Sequence, residues 1–230
     1  MTMSLSSLRD RYPILEWVAP FAVFMLLLAV SPLLGIPQPL ESVFRVGVLS
    51  LVIVLFSWRV VSSLRIKHAL GSVVLGLAVC LLWIGPDYLI PGWREHWLFQ
   101  NSVMGTLKTS LPPAELADPL VVILRIIRAA LLVPILEELF WRGWLPRWIV
   151  NPDWKKVPLG SYSVMAFVIT AVLFATEHGP YWDVGLLCGF IYNWWMWRTK
   201  SLGDLILVHA VTNAALSGFV MITGEYQYWM

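Results

Sequence analysis

The stretch LVVILRIIRAALLVPILEELFWRGW, residues 120–144, decides the fold. It is apolar and longer than the roughly 20 residues that a helix needs to cross the hydrocarbon core of a bilayer. It nevertheless contains five ionisable side chains, which are Arg125, Arg128, Glu137, Glu138 and Arg142. Because ionisable groups are costly inside a membrane, they usually serve a function there. The stretch therefore predicts a membrane-spanning helix that carries a functional site.

The whole chain has the composition of an integral membrane protein. Hydrophobic residues make up 59% of its 230 residues and charged residues only 13%, against about 25% charged in a soluble domain. The net charge of +2 and the lack of a basic run exclude a nucleic-acid partner and leave membrane lipids as the expected surroundings. The two cysteines, Cys80 and Cys188, lie outside any CxxC, so neither a disulfide framework nor a thiolate metal site is expected.

The apolar stretches predict an all-α fold, a polytopic transmembrane helical bundle of about seven spans. Besides the stretch quoted above, the predicted spans are residues 14–34, 43–61, 68–90, 157–178, 184–197 and 202–223. Residues 93–119 form the longest polar stretch and predict an extramembrane loop, with room for a short surface helix. We therefore divide the chain into N-terminal spans with this loop, residues 1–119, and a helical core, residues 120–230.

Lysine and arginine collect at alternate ends of these spans. One side holds three of them, Arg45, Arg94 and Lys108, and the other holds ten, namely Arg9, Arg11, Arg59, Arg65, Lys67, Arg147, Lys155, Lys156, Arg198 and Lys200. Cytoplasmic loops carry an excess of positive residues. The distribution predicts a cytoplasmic N-terminus and an odd number of spans.

The first polar cluster is Glu137, Glu138 and Arg142. Residues four apart share a helical face, so Glu138 and Arg142 are expected to pair. Glu137 points about 100° away from its neighbour and is left as the candidate general base. Pro134, one turn earlier, is expected to kink the helix and open space beside Glu137. A structural ion pair that braces the bundle is the alternative.

Two further clusters lie in later apolar stretches. Phe174 and His178 share a helical face just before Gly179-Pro180, and His209 shares a face with Asn213. Separately, His178 can be read as a residue at a helix end, and the second pair as polar contacts between helices. Taken together, one glutamate, two histidines and one asparagine suffice for a hydrolytic site.

The aromatic run and the first two arginines of residues 120–144 are given structural interpretations. The aromatic run at residues 192–197 is expected to pack at the lipid or interface surface. Arg125 and Arg128 are expected to reach the membrane surface by extending their side chains, while binding of an anionic substrate group is the less favoured reading.

The ordered triple EExxxR, FxxxH and HxxxN resembles the CAAX protease and bacteriocin-processing family of intramembrane proteases, which includes the type II CAAX prenyl endopeptidases. The matching residues are Glu137, Glu138 and Arg142, then Phe174 and His178, then His209 and Asn213. The resemblance covers about residues 125–218. A domain of this kind after three other spans also looks like members of the family associated with exosortase sorting systems.

The resemblance implies an endopeptidase that cleaves a membrane-associated protein or peptide in a bacterial inner membrane, without a cofactor or metal. Residues 120–230 would be its catalytic core. Glu137 and His178 would activate water, and His209 with Asn213 would stabilise the oxyanion. Glu138, Arg142 and Phe174 would support the site. A zinc-dependent version of this protease and a non-catalytic membrane scaffold or immunity protein stay open as alternatives.

The predicted boundaries place the two water-activating residues at different depths. At about 1.5 Å per residue, Glu137 lies about 15 Å from Arg147, at the end of its span. His178 lies about twice as far from the start of the span predicted at residues 157–178. The two residues can share a water molecule only if the segment between the spans dips into the membrane, or if the later helix is tilted or begins further along the chain.

Overall fold

The computed structural model describes residues 5–107 and 113–229. Lys108, one of the three basic residues predicted on the side opposite the N-terminus, lies outside these ranges. The helices α1 to α8 are Leu5–Arg11, Leu15–Leu34, Leu40–Ser63, Ala69–Leu89, Pro119–Val150, Val164–Thr176, Trp182–Thr199 and Leu202–Thr223. Five of them, α2 to α5 and α8, are long and apolar enough to cross a membrane. The predicted all-α membrane bundle is confirmed, and the count of seven spans stays a prediction.

The two helix boundaries nearest the site differ from the prediction. Helix α5 does not end at Trp144 but continues to Val150. The span predicted at residues 157–178 is wrong at its start, because α6 begins only at Val164, where Ser163 caps the helix through its hydroxyl. Pro158 and Gly160, which has a positive φ of 72°, fall in the turn before it.

The new boundaries remove the mismatch in depth. Glu137 lies about 20 Å before the end of α5 at Val150, and His178 lies about 21 Å beyond the start of α6 at Val164. Helices α5 and α6 pack against each other and are joined by residues 151–163. Glu137 and His178 therefore lie at similar heights along two neighbouring helices.

Helix α2 packs along α5 through aromatic rings. Phe21 stacks on Phe140 with ring centroids 4.3 Å apart and meets Trp141 edge-on. Further along, Arg147 lies over the ring of Trp17 at 4.5 Å. The first spanning helix thus packs directly on the helix that carries the paired glutamates.

The polar loop predicted at residues 93–119 folds back onto the bundle. It contains a short helical turn, Pro113–Leu116, as expected. Arg94, however, is buried, donates to Asp87 at 2.7 Å and to the Pro180 carbonyl at 2.8 Å, and pairs with Asp183. The start of the loop is therefore fixed against α4 and the beginning of α7.

Helices α4 and α8 meet at Gly76. A Cβ atom at this position would lie 2.6 Å from the carbonyl oxygen of Val208 and 2.8 Å from Cβ of Val211. The Gly76 carbonyl accepts a hydrogen bond from the Thr212 hydroxyl at 3.0 Å. The absence of a side chain at Gly76 allows α8 to approach this closely.

We expect the substitution Gly76→Ala to lower stability by about 1–3 kcal/mol, because backbone atoms must move to admit the methyl group. The matched control is Gly85→Ala in the same helix, where an added Cβ meets nothing within 4 Å. Thermal unfolding of the purified protein in detergent measures both. Equal midpoints for the two variants would contradict the close packing.

Candidate active site

The glutamate pair lies next to two widened turns of α5. Residues Arg128–Leu132 and Leu139–Trp144 are π-helical. Such turns are rare and are often found at functional sites. Glu138 and Arg142 pair as expected, with the Arg142 guanidinium donating to both carboxylate oxygens at 3.1 Å.

A buried network extends from this ion pair to two other helices. His209 Nδ1 lies 2.8 Å from Glu138 Oε1, and Arg142 Nε donates to Asn193 Oδ1 at 3.0 Å. The Asn193 amide in turn donates to the Phe167 carbonyl at 2.8 Å and to Thr170 Oγ1 at 2.9 Å. One carboxylate and one guanidinium thus join α5 to α6, α7 and α8.

Phe174 packs at the centre of this network. The Arg142 guanidinium lies over its ring at 4.2 Å. The ring of His178 is 4.7 Å away and that of His209 is 6.4 Å away. The face of an aromatic ring attracts a cation, so Phe174 stabilises Arg142 from the side that the carboxylate does not cover.

Glu137 points away from the ion pair, as its offset from Glu138 predicts. It is buried, and its Oε2 atom makes no hydrogen bond to any atom in the described ranges. It lines a cavity of 370 Å³ that is also lined by Phe174, His178, His209 and Asn213. The structure therefore brings the four candidate catalytic residues together around one cavity, while Glu138 and Arg142 pair beside it.

The orientation of His178 fixes which ring nitrogen is available. Its Nδ1 atom lies 2.8 Å from the Phe174 carbonyl oxygen. A carbonyl only accepts, so Nδ1 carries a proton, and in the neutral ring Nε2 holds the free lone pair. Gly185 makes room for the ring, since a Cβ there would lie 3.0 Å from Nδ1.

Asn213 satisfies a backbone carbonyl that Pro134 leaves without a donor. In the π-turn, the N–H of Val133 donates to the Arg128 carbonyl. The next carbonyl, Ala129, would receive the N–H of residue 134, which proline lacks. The Asn213 amide donates to it instead at 2.8 Å. The proline thus fixes the amide of a residue on α8.

Two functional candidates were missed in the sequence. Glu177 lines the cavity, and its Oε2 accepts a hydrogen bond from the Trp141 indole at 2.9 Å. Asn193 belongs to the aromatic run that was interpreted as lipid-facing. The sequence contains a signal for each residue. Glu177 directly precedes the candidate His178, and Asn193 is the one amide side chain in the aromatic run at residues 192–197.

Two interpretations require correction. Tyr192, at the start of the aromatic run, is fully buried, lines the cavity and donates to Thr212 Oγ1 at 3.1 Å, although Trp194 and Trp197 are exposed as expected. Arg125 does not extend to the surface. Its exposure is 7%, it lines the same cavity as Arg128, and its guanidinium lies over the ring of Trp229.

The described part of the chain contains no group of three or more histidine, cysteine, aspartate or glutamate side chains arranged to hold a metal ion. Two polar residues of the site are held by hydrogen bonds to protein groups. Glu138 hydrogen-bonds Arg142 and His209, and His178 hydrogen-bonds the backbone carbonyl of Phe174.

Fold and cavity together define a polytopic helical membrane protein with a buried glutamate–histidine site. Residues 119–215 match the family model described as Type II CAAX prenyl endopeptidase Rce1-like. The match contains all three polar clusters, so this part of the chain is similar to the type II CAAX prenyl endopeptidases. No curated protein and no solved structure matches it.

We expect Asn213→Ala to lower stability by about 1–3 kcal/mol, because the Ala129 carbonyl loses its donor inside the bundle. In the double variant with Pro134→Ala, residue 134 regains an N–H that can reach this carbonyl. The two losses should therefore not add, which a double-mutant cycle of unfolding free energies measures. Strictly additive effects would disprove the link between Pro134 and Asn213.

Proposed function

We propose that the protein is an intramembrane endopeptidase that hydrolyses a peptide bond through water activated by Glu137 and His178. The observation that carries the proposal is the single cavity lined by Glu137, His178, His209 and Asn213. These residues come from three different parts of the chain, and the match to the family model spans all of them. A purely structural role for the polar groups does not require that they face a common space.

Glu137 and His178 supply two acceptors for one water molecule. The carboxylate and the Nε2 lone pair can each accept one of its hydrogens, which leaves an oxygen lone pair to attack the substrate carbonyl carbon. Glu137 then takes the proton as the C–O bond forms and delivers it to the leaving nitrogen as the C–N bond breaks. A positioned base of this kind contributes about 10²–10⁴-fold to the rate.

His209 and Asn213 are proposed to stabilise the oxyanion that forms on the carbonyl oxygen. The Glu138 carboxylate, 2.8 Å from Nδ1 of His209, fixes the orientation of this ring, which lines the cavity. Asn213 donates one amide hydrogen to the Ala129 carbonyl, and its second amide hydrogen can be donated to the substrate. Fixed donors in a cavity shielded from water act more strongly than donors in solvent.

Glu138, Arg142 and Phe174 are proposed as positioning residues. Glu138 orients His209, Arg142 holds Glu138, and Phe174 contacts both Arg142 and His178. None of them has to touch the substrate. Their loss is expected to disturb the geometry of the site rather than remove a reacting group.

A membrane-associated peptide or protein is the proposed substrate. Met25 and Leu28 of α2 line the cavity and are 40% and 42% exposed. Since α2 is a membrane-spanning candidate, the cavity reaches the lipid-facing surface there. We further propose a bacterial inner membrane with a cytoplasmic N-terminus, on the charge distribution at the span ends.

Cells that produce the Glu137→Gln variant are expected to accumulate the uncleaved substrate. The change keeps the shape of the side chain but removes the base, so turnover should fall at least 100-fold. Mass spectrometry of membrane peptides from cells with the unchanged protein and with the variant identifies the missing product. Glu95→Gln, at an exposed loop residue, is the control and should leave the peptide pattern unchanged. An identical pattern in the Glu137→Gln cells would remove the proposal.

The zinc-dependent alternative makes a different prediction about metal removal. We expect turnover of the identified substrate by the purified protein to survive a strong chelator, because the proposed base and oxyanion donors are all side chains. Metal analysis of the same preparation accompanies the assay. Stoichiometric zinc together with turnover that stops in chelator and returns with added zinc would establish the alternative.

A further inference from the structure

A second and much smaller pocket lies between the end of α5, the first half of α6 and the end of α7, and the proposed hydrolysis does not use it. Its volume is 30 Å³, against 370 Å³ for the cavity that Glu137 lines. A cavity of about 10–15 Å³ holds one water molecule. The small pocket can therefore take one or two water molecules or a single monatomic ion, but it cannot enclose a phosphate group or a peptide.

Arg147, which lines the small pocket, is a buried cation that pairs with no carboxylate of the described residues. Its exposure is 8%, and its Nε atom donates to the Gly143 carbonyl. Its guanidinium lies over the rings of Trp17 and Trp154, at 4.5 Å and 4.6 Å from their centroids. Aromatic faces attract a cation but carry no net charge. The positive charge of Arg147 is therefore not neutralised within the described part of the chain.

The carboxylates of the neighbouring segments are each paired with another basic side chain. These pairs are Glu138 with Arg142 on the same helix, Asp153 with Lys156 in the connection to α6, and Glu16, next to Trp17, with Arg59. A buried charge without a counter-charge is unstable relative to a paired one. An anion that enters the small pocket would supply the missing counter-charge without breaking any of these pairs.

Several groups that line the small pocket have unused hydrogen-bond donors. The Nη2 atoms of Arg142 and Arg147 are both buried, and neither makes a hydrogen bond to any described atom. The Ser163 hydroxyl accepts from the Ala166 N–H at 3.4 Å, so its own hydrogen is left to donate. A water molecule could accept from such donors but would leave the charge of Arg147 unchanged. Donors combined with an unpaired positive charge favour an anion.

We propose that the small pocket binds one monovalent inorganic anion of the size of chloride, held chiefly by Arg147. The low dielectric of the surroundings strengthens the attraction between this guanidinium and the ion. The pocket is lined by α5, α6 and α7, so the bound ion would hold the end of α5 against the other two helices. The inference does not depend on hydrolysis and is tested without a substrate.

The test uses the full-length protein, purified in a neutral detergent, and two sodium salts at constant ionic strength. Chloride is the probe, and gluconate, which is too large for the pocket, replaces it in the reference samples. An ion that binds only the folded protein raises the midpoint of thermal unfolding. We expect the midpoint to rise as chloride replaces gluconate and then to level off. Equilibrium dialysis with radioactive chloride should show one bound ion per chain.

Variants of Arg147 assign the bound ion to this pocket. Arg147→Gln removes the charge and should lower the affinity for chloride at least tenfold, since a charge-assisted hydrogen bond corresponds to about 10–100-fold. Arg147→Lys keeps the charge but loses the planar fork of donors, so it should bind chloride several-fold more weakly. Arg198→Gln removes an exposed arginine that does not line the pocket and should change nothing.

If Arg147→Gln does not fold in detergent, Arg147→Lys decides the outcome. Equal unfolding midpoints in chloride and gluconate, with no ion bound in dialysis, would overturn the proposal and leave the pocket to water. Saturable binding of chloride that both Arg147 variants retain at full affinity would place the ion elsewhere in the protein, and the proposal would also be wrong.

Discussion

The structure depends on how one buried ion pair is satisfied inside a membrane protein. Glu138 has no exposed surface, and Arg142 has almost none. Unpaired charges in such a place cost several kcal/mol each. The bundle meets this cost with His209, Asn193 and the ring of Phe174, each brought by a different helix. The contacts that satisfy the pair therefore also fix α6, α7 and α8 around α5.

The same arrangement makes the two adjacent glutamates chemically unequal. Both oxygens of Glu138 accept hydrogen bonds, while Glu137 faces the cavity with a buried oxygen that no described protein group hydrogen-bonds. Pro134 acts in a similar way on the backbone, because the donor it removes is replaced by Asn213. Pairing of Glu138 with Arg142 leaves Glu137 facing the cavity. The hydrogen bond to the Ala129 carbonyl likewise fixes Asn213 beside the cavity. That inequality is what a hydrolytic site needs from two neighbouring carboxylates.

Much of the site could be predicted from the sequence because its rules are local. The spacing of Glu138 and Arg142 gives their pairing, and ionisable residues in apolar stretches mark which helices carry the site. The predicted depth of His178 was wrong because the span was started at the first apolar residue after the loop. The start of α6 is set instead by Pro158, Gly160 and the Ser163 cap. Asn193 was hidden among aromatic residues. Its role arises only from the packing of α7 against Arg142, which no periodic pattern contains.

The register of α5 could not be predicted either. Helical-wheel reasoning assumes 3.6 residues per turn, and the two π-turns shift every residue that follows them. The first of these turns contains the Ala129 carbonyl that Asn213 binds, and Glu137, which lines the cavity, follows it. Such turns persist only when tertiary contacts compensate them, so they are properties of the assembled bundle.

The most direct measurement is the free energy of unfolding of Glu138→Gln compared with Glu137→Gln, each purified in the same detergent. Loss of Glu138 leaves Arg142 and His209 without their carboxylate, and we expect it to cost about 3–5 kcal/mol. Loss of the neighbouring carboxylate, which binds no described protein group, should cost less than about 1 kcal/mol. The opposite order, or equal losses, would contradict the division of roles between the two glutamates.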